Sequence, residues 1–124
     1  MLRRDRAGRR RSARLMVPEG VELRVFDDIL AANRRYAESF ALAGLDPRAA
    51  RALGVLTCID SRIEPLDMLG LAPGDAKILR NAGARVTDDV LRTLVLASYL
   101  LGVDRAMVVA HTKCRMASGY RSAR

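Results

Sequence analysis

The chain has 124 residues, enough for one domain with a single core, and no apolar run approaches the roughly 20 residues that cross a bilayer. Half of the residues are hydrophobic but only 4% are aromatic, so the core must be aliphatic. The net charge of +8 is unevenly spread: residues 1–20 carry seven arginines against Asp5 and Glu19, and the rest carries fifteen basic against twelve acidic residues. Most of the excess therefore lies in a tail from Arg3 to Arg14 that has no aromatic residue to stack on a base, which argues against a nucleic-acid partner. Residues 1–20 are expected to be a disordered basic extension and residues 21–124 the folded domain. The basic N-terminus has no apolar stretch behind it, so it does not read as a secretory signal, and Met16 is an alternative start. A cytoplasmic protein is the expectation.

After Pro18, residues 21–43 read as a helix. Val25, Phe26, Ile29, Leu30, Tyr36, Ala37 and Phe40 recur at spacings of three and four, and Gly44 is a plausible stop. Both phenylalanines lie here, which predicts docking on a large apolar surface, the chain's own core before another subunit. Asp46-Pro47 opens a turn or short helix through Arg51. Leu53–Thr57 reads as a strand buried on both faces, because its apolar run is continuous rather than alternating. A short helix is expected over 64–69, ended by Gly70, then a turn at Pro73-Gly74-Asp75 and a second strand over 76–80. Asn81-Ala82-Gly83 is a tight loop in which Gly83 can supply a positive φ angle. Thr87 is placed to cap a helix running to about Leu101, with Asp88 and Asp89 at its positive end and Val90, Leu91, Leu94, Val95 and Leu101 as its apolar stripe. Gly102 stops it, and 105–110 is the third strand.

Strand, helix, strand, longer helix, strand is a βαβ series, so the fold class is α/β with a parallel sheet core flanked by helices. Ligands of such sheets bind beyond the carboxyl ends of the strands, where strand order reverses. Cys58 and His111 stand at two such ends and meet if the first and third strands are neighbours. Few residues follow Cys114, so the sheet is expected to be small, poorly covered on one face and incomplete at the C-terminus.

Both cysteines and the only histidine fall in Cys58-Ile59-Asp60-Ser61-Arg62 and His111-Thr112-Lys113-Cys114. A histidine three residues before a cysteine favours a metal site over a disulfide or over unlinked core thiols. Two thiolates and an imidazole suit zinc, one ion per chain, with a fourth position open to water whose pKa the ion would lower. Asp60 is placed to accept a hydrogen bond from that water or to take the open position itself. Arg62 can hold the Asp60 carboxylate through a bidentate pair, the alternative being an ordinary loop ion pair.

Cys58-x-Asp60-Ser61-Arg62, then Arg80-Asn81-Ala82-Gly83, then His111-x-x-Cys114 together resemble the β-class carbonic anhydrases in order, spacing and intervening elements, over roughly residues 21–116. The resemblance implies a zinc lyase that reversibly hydrates carbon dioxide to bicarbonate. It implies Cys58, His111 and Cys114 as metal ligands, Asp60 and Arg62 as the catalytic dyad, and Asn81, Ala82 and Gly83 as lining of the substrate pocket. It also implies a homodimer or larger homo-oligomer in which the N-terminal helices embrace the partner. Relatives acting on carbonyl sulfide or carbon disulfide would share these features, and a short paralogue that binds zinc without catalysis is a further alternative. Two departures stand out: Arg115 occupies the place where the family generally has glycine, and family members continue with further helices and at least one more strand.

Overall fold

The computed structural model describes residues 24–122. The expected basic tail and the first residues of the expected 21–43 helix lie outside the described residues. The chain divides into two units, Met1–Ala43 and Gly44–Arg124.

In the first unit, helix α1 spans Asp27–Glu38, shorter than the apolar periodicity predicts. Asp27 and Asp28 stand in its first turn, favourably against the helix dipole. It ends at Ser39, whose hydroxyl donates to the Arg35 carbonyl at 3.3 Å and gives that orphaned acceptor a partner without another helical turn. None of its residues is buried, and Phe26, Ile29, Leu30, Tyr36 and Phe40 are all exposed. The apolar stripe shows an amphipathic helix, but such a stripe does not say what covers it.

The second unit begins with a turn rather than a helix. The Asp46 carboxylate accepts the Arg48 backbone N–H at 2.8 Å and the Arg48 guanidinium at 3.1 and 3.3 Å, a local closure that competes with helical bonding. Three strands follow: β1 (Leu53–Cys58), β2 (Ala76–Asn81) and β3 (Arg105–Val109), connected by helix α2 (Pro65–Met68) and helix α3 (Asp88–Leu100). Helix α4 (Arg115–Ser122) comes last, in a stretch whose sequence pattern predicts no element. The strands are parallel in the order β2-β1-β3. The chain steps outward from β1 to β2, then returns across β1 to β3, so strand order reverses at β1, as the site argument requires.

β1 is buried on both faces, as its continuous apolar run predicts, whereas four of the five β3 residues are exposed. Gly54 lets α3 approach the sheet: a Cβ there would lie 3.0 Å from Leu94 Cδ2 and 3.3 Å from Val103 Cγ1. Leu56, on the same side of β1, packs with Ala84 and Val90, and with Leu79 and Leu94 at the margin. Ala97 forms a second cluster with Ala49 and Val103, backed by Leu101. The inward stripe of α3 is therefore Val90, Leu94, Ala97 and Leu101, at spacings of four, three and four. Leu91 and Val95, expected within it, are exposed. Thr87 caps α3 as expected, its hydroxyl accepting the Val90 N–H at 3.4 Å. No helix among the described residues is long and apolar enough to cross a membrane.

Leu56 is 1% exposed and packed on several sides. Leu56→Ala should lower unfolding stability by about 2–5 kcal/mol through lost burial and a residual cavity. Urea denaturation at fixed metal content checks this, and a loss below about 1 kcal/mol would show a far looser core.

Candidate metal centre

Register brings the two cysteine motifs together. Thr57 pairs with Val109, so Cys58 and His111 stand just beyond the last paired residues of adjacent strands. Thr57 secures the junction, its buried hydroxyl donating to the Val109 carbonyl at 3.0 Å. Cys58 ends β1 and is buried, while Cys114 directly precedes α4 and is half-buried. Their Sγ atoms lie 3.7 Å apart. That is far beyond a disulfide bond, and both cysteines are free. It matches the separation of about 3.8 Å that two zinc–sulfur bonds of about 2.3 Å enclose at a tetrahedral angle.

His111 completes the set. Its Nδ1 lies 2.8 Å from the Thr112 carbonyl oxygen, which can only accept, so Nδ1 carries the proton. Nε2 is then left with its lone pair, and this buried atom has no hydrogen-bond partner among the described residues. The donor atoms of Cys58, His111 and Cys114 all lie within 4.8 Å of one another. An orphaned imidazole nitrogen facing two thiols at metal-bridging distance fits a zinc ion. These three residues can hold one.

Backbone N–H groups converge on both sulfurs. Gly83 donates to Cys58 Sγ at 3.4 Å from a loop in which its φ of +81° suits glycine. Ala117, in the first turn of α4, donates to Cys114 Sγ at 3.4 Å, so Cys114 caps that helix and meets its positive end. Burial pushes the Cys58 thiol up, but the His111 ring, the N–H groups of Gly83 and Asp60, and Cys114 together outweigh it and bring the thiol down to about 7. The thiolate form that a metal requires is thus accessible near neutrality.

Asp60 and Arg62 form the bidentate pair that their spacing predicts. Arg62 Nε donates to Asp60 Oδ1 at 3.0 Å, Nη2 to Oδ2 at 2.7 Å, and the Arg62 backbone N–H to Oδ1 at 2.9 Å. These bonds hold the Asp60 carboxyl well below the usual carboxylate range. Asp60 Oδ2 lies 3.7 Å from His111 Nε2, beside the three donor atoms rather than among them. A cavity of about 330 Å³ opens against this arrangement, lined by Cys58 to Ser61 and Cys114 to Met116.

The Asn81 side chain is engaged within its own loop: Nδ2 donates to the Arg85 carbonyl at 2.6 Å, and Oδ1 accepts the Arg85 N–H at 2.9 Å. It thereby shapes the turn that presents the Gly83 N–H to sulfur. Asn81, Ala82 and Gly83 are not among the residues lining the 330 Å³ cavity. Sequence reasoning missed Arg80. Its Nε donates to the Cys58 carbonyl and its Nη2 to the Asp60 carbonyl, both at 2.8 Å, so one guanidinium fixes the backbone carrying a thiol and a carboxylate. The signal was there, an arginine immediately before the Asn-Ala-Gly loop and opposite Thr57 across the β1–β2 ladder.

The sequence profile of the carbonic anhydrase family matches residues 53–123, from the start of β1 through α4. The chain belongs to the β-class carbonic anhydrase family. It is 39% identical over 92 residues to Beta-carbonic anhydrase 1 of Mycobacterium tuberculosis, covering 74% of this chain and 56% of that protein. It is also 47% identical over 66 residues to Carbon disulfide hydrolase of an Acidianus species, covering 53% of this chain and 32% of that protein. Among solved structures, a carbonic anhydrase from Streptococcus mutans superposes with a TM-score of 0.68 at 42% identity, covering 77% of this chain and 57% of that one. The chain thus spans about half the length of the M. tuberculosis relative. Arg115, where the family generally has glycine, is the first residue of α4 and is not among the positive-φ positions, so its side chain sits there without backbone strain.

Replacing Arg80 by lysine keeps the charge but cannot bridge two carbonyls with one planar fork. Arg80→Lys should weaken zinc affinity by about 10-fold or more, as losses of supporting contacts around metal ligands do. Competition against a chromophoric chelator measures this, and an unchanged affinity would show that Arg80 supports only the strand.

Proposed function

We propose that this chain is a zinc-dependent carbonic anhydrase that reversibly hydrates carbon dioxide to bicarbonate, with Cys58, His111 and Cys114 as metal ligands. The observation that carries the reading is the unpartnered, buried His111 Nε2 facing two sulfurs 3.7 Å apart, beside a carboxylate locked by an arginine. When bound, zinc supplies Lewis acidity that brings the pKa of a water molecule toward neutrality.

The other roles fall to this chain's own side chains. Asp60 stays ionised next to Arg62, and as a carboxylate it can only accept hydrogen bonds. It would orient the attacking water by accepting a hydrogen bond from it, which leaves an oxygen lone pair directed at the substrate carbon. Its position beside the three donor atoms, with both oxygens held by Arg62, favours this role over that of a fourth ligand. The Arg62 guanidinium fixes the carboxylate, and Arg80 fixes the backbone on either side of it. The proposed ligand histidine is the only one in the chain, so proton export passes to water, buffer or carboxylates. A reducing cytoplasm suits two cysteines that must stay free. A homodimer or larger homo-oligomer would give the exposed apolar residues of α1 a surface to cover them.

The 47% identity to Carbon disulfide hydrolase favours a second reading, hydrolysis of a related small substrate such as carbon disulfide or carbonyl sulfide at the same centre. Substrate assays decide between the two. Zinc-loaded protein should hydrate carbon dioxide in stopped-flow measurements, and Asp60→Ala should reduce kcat by about 100-fold or more with bound zinc nearly unchanged. Turnover of carbon disulfide without carbon dioxide hydration would establish the second reading. A zinc-loaded chain inactive on all three substrates would support the non-catalytic alternative.

A further inference from the structure

Arg115 lines the cavity beside the candidate centre and does no structural work there. Its side chain is exposed, and among the described residues its guanidinium has no ion pair or hydrogen bond. The other charges around the cavity are committed. Asp60, which lines the cavity, is paired with Arg62 through a bidentate contact, and Arg80 stands outside the lining with its fork held on two backbone carbonyls. With a divalent ion bound, the two thiolates would cancel its charge and His111 would be neutral. The remaining lining residues, Ile59, Ser61 and Met116, carry no charge. Among the residues that line the cavity, Arg115 is therefore the one fixed charge without a counter-charge, and it persists at every working pH. The glycine general in the family would leave the same wall neutral.

We propose that Arg115 makes this cavity a binding site for small oxyanions, bicarbonate above all, and so sets the charge selectivity of the centre. The inference rests on the reading of Cys58, His111 and Cys114 as a metal site. A guanidinium offers two parallel N–H donors to the paired oxygens of a planar oxyanion, a fit that neutral carbon dioxide or carbon disulfide cannot use. Arg115 thus acts on only one side of the reaction. It retains bicarbonate, which favours dehydration at low bicarbonate and slows product release in hydration, and it leaves the neutral substrate unaffected. It equally admits inorganic anions that are not substrates.

The test uses the full chain, zinc-loaded, with zinc content measured on every sample. Binding of bicarbonate and of nitrate, a planar oxyanion that is not a substrate, is followed calorimetrically for the natural protein, Arg115→Gln and Arg115→Lys. Arg115→Gln should weaken both anions by about fivefold, the size expected of a charge-assisted contact at a partly solvated site, and Arg115→Lys should restore most of the loss. KM for bicarbonate should rise by the same factor in Arg115→Gln, while KM for carbon dioxide stays unchanged. Raising the ionic strength should weaken anion binding to the natural protein more than to Arg115→Gln. Zinc-loaded protein whose anion affinity is the same in all three forms would overturn this inference and leave the metal reading intact. Protein that takes up no zinc would overturn the metal reading, and this inference with it.

Discussion

The parallel pairing of Leu53–Thr57 with Arg105–Val109 is the constraint on which the rest of the second unit depends. It places a cysteine and a histidine from distant parts of the chain at neighbouring strand ends, and the turn after His111 then carries Cys114 back toward Cys58. A slip of one residue in this register would turn Cys58 to the other face of the sheet and separate the sulfurs. Several features defend it. Thr57 Oγ1 bonds across to Val109, Gly54 admits α3 against the central strand, and Leu56 anchors that side of the strand in an aliphatic cluster. Burial of β1 on both faces makes the alternatives costly, because every shifted register exposes apolar side chains or buries polar ones.

Around that junction the polar groups are arranged to stabilise negative charge on sulfur and to keep one carboxylate ionised. Backbone N–H groups reach each thiol from a different element, a glycine loop for Cys58 and a helix start for Cys114. The carboxylate of Asp60 is fixed by its own arginine, and the peptide backbone on both sides of Ile59 is clamped by Arg80 from the neighbouring strand. Donors from several separate elements thus converge on one strand end. This is the preorganisation that a site needs if its side chains are to keep their positions as charge changes.

Much of this was legible in the sequence because it is local or follows from chain topology. A continuous apolar run marked β1, Thr87 marked the start of α3, and βαβ order placed Cys58 and His111 at strand carboxyl ends, which the pairing of β1 with β3 makes neighbours. The Asp60–Arg62 pair followed from a two-residue spacing in one loop. The misreadings share a different cause. The pattern of 21–43 identified an apolar stripe but not its cover, and the helix stops at Ser39 because a side-chain bond replaces the next turn. The inward face of α3 is rotated away from Leu91 and Val95, a detail set by which residues the sheet presents. Arg80 and Asn81 work through carbonyls and amides, which have no sequence signature, so their contacts appear only when the loops are seen folded. Helix α4 was missed because it is short and mostly polar, with Met116, Ala117 and Tyr120 as its few apolar residues and Gly119 in its interior, yet its start supplies the N–H that meets Cys114.

The claim at the centre of these results is that Cys58, His111 and Cys114 hold one zinc ion with a position to spare. X-ray absorption at the zinc edge, on protein purified without added metal, tests it directly. Two sulfur neighbours at about 2.3 Å with nitrogen or oxygen neighbours at about 2.0–2.1 Å, one zinc per chain, is the expected result. A shell of oxygen and nitrogen alone, a shell of four sulfurs contributed by two chains, or protein lacking zinc would contradict it.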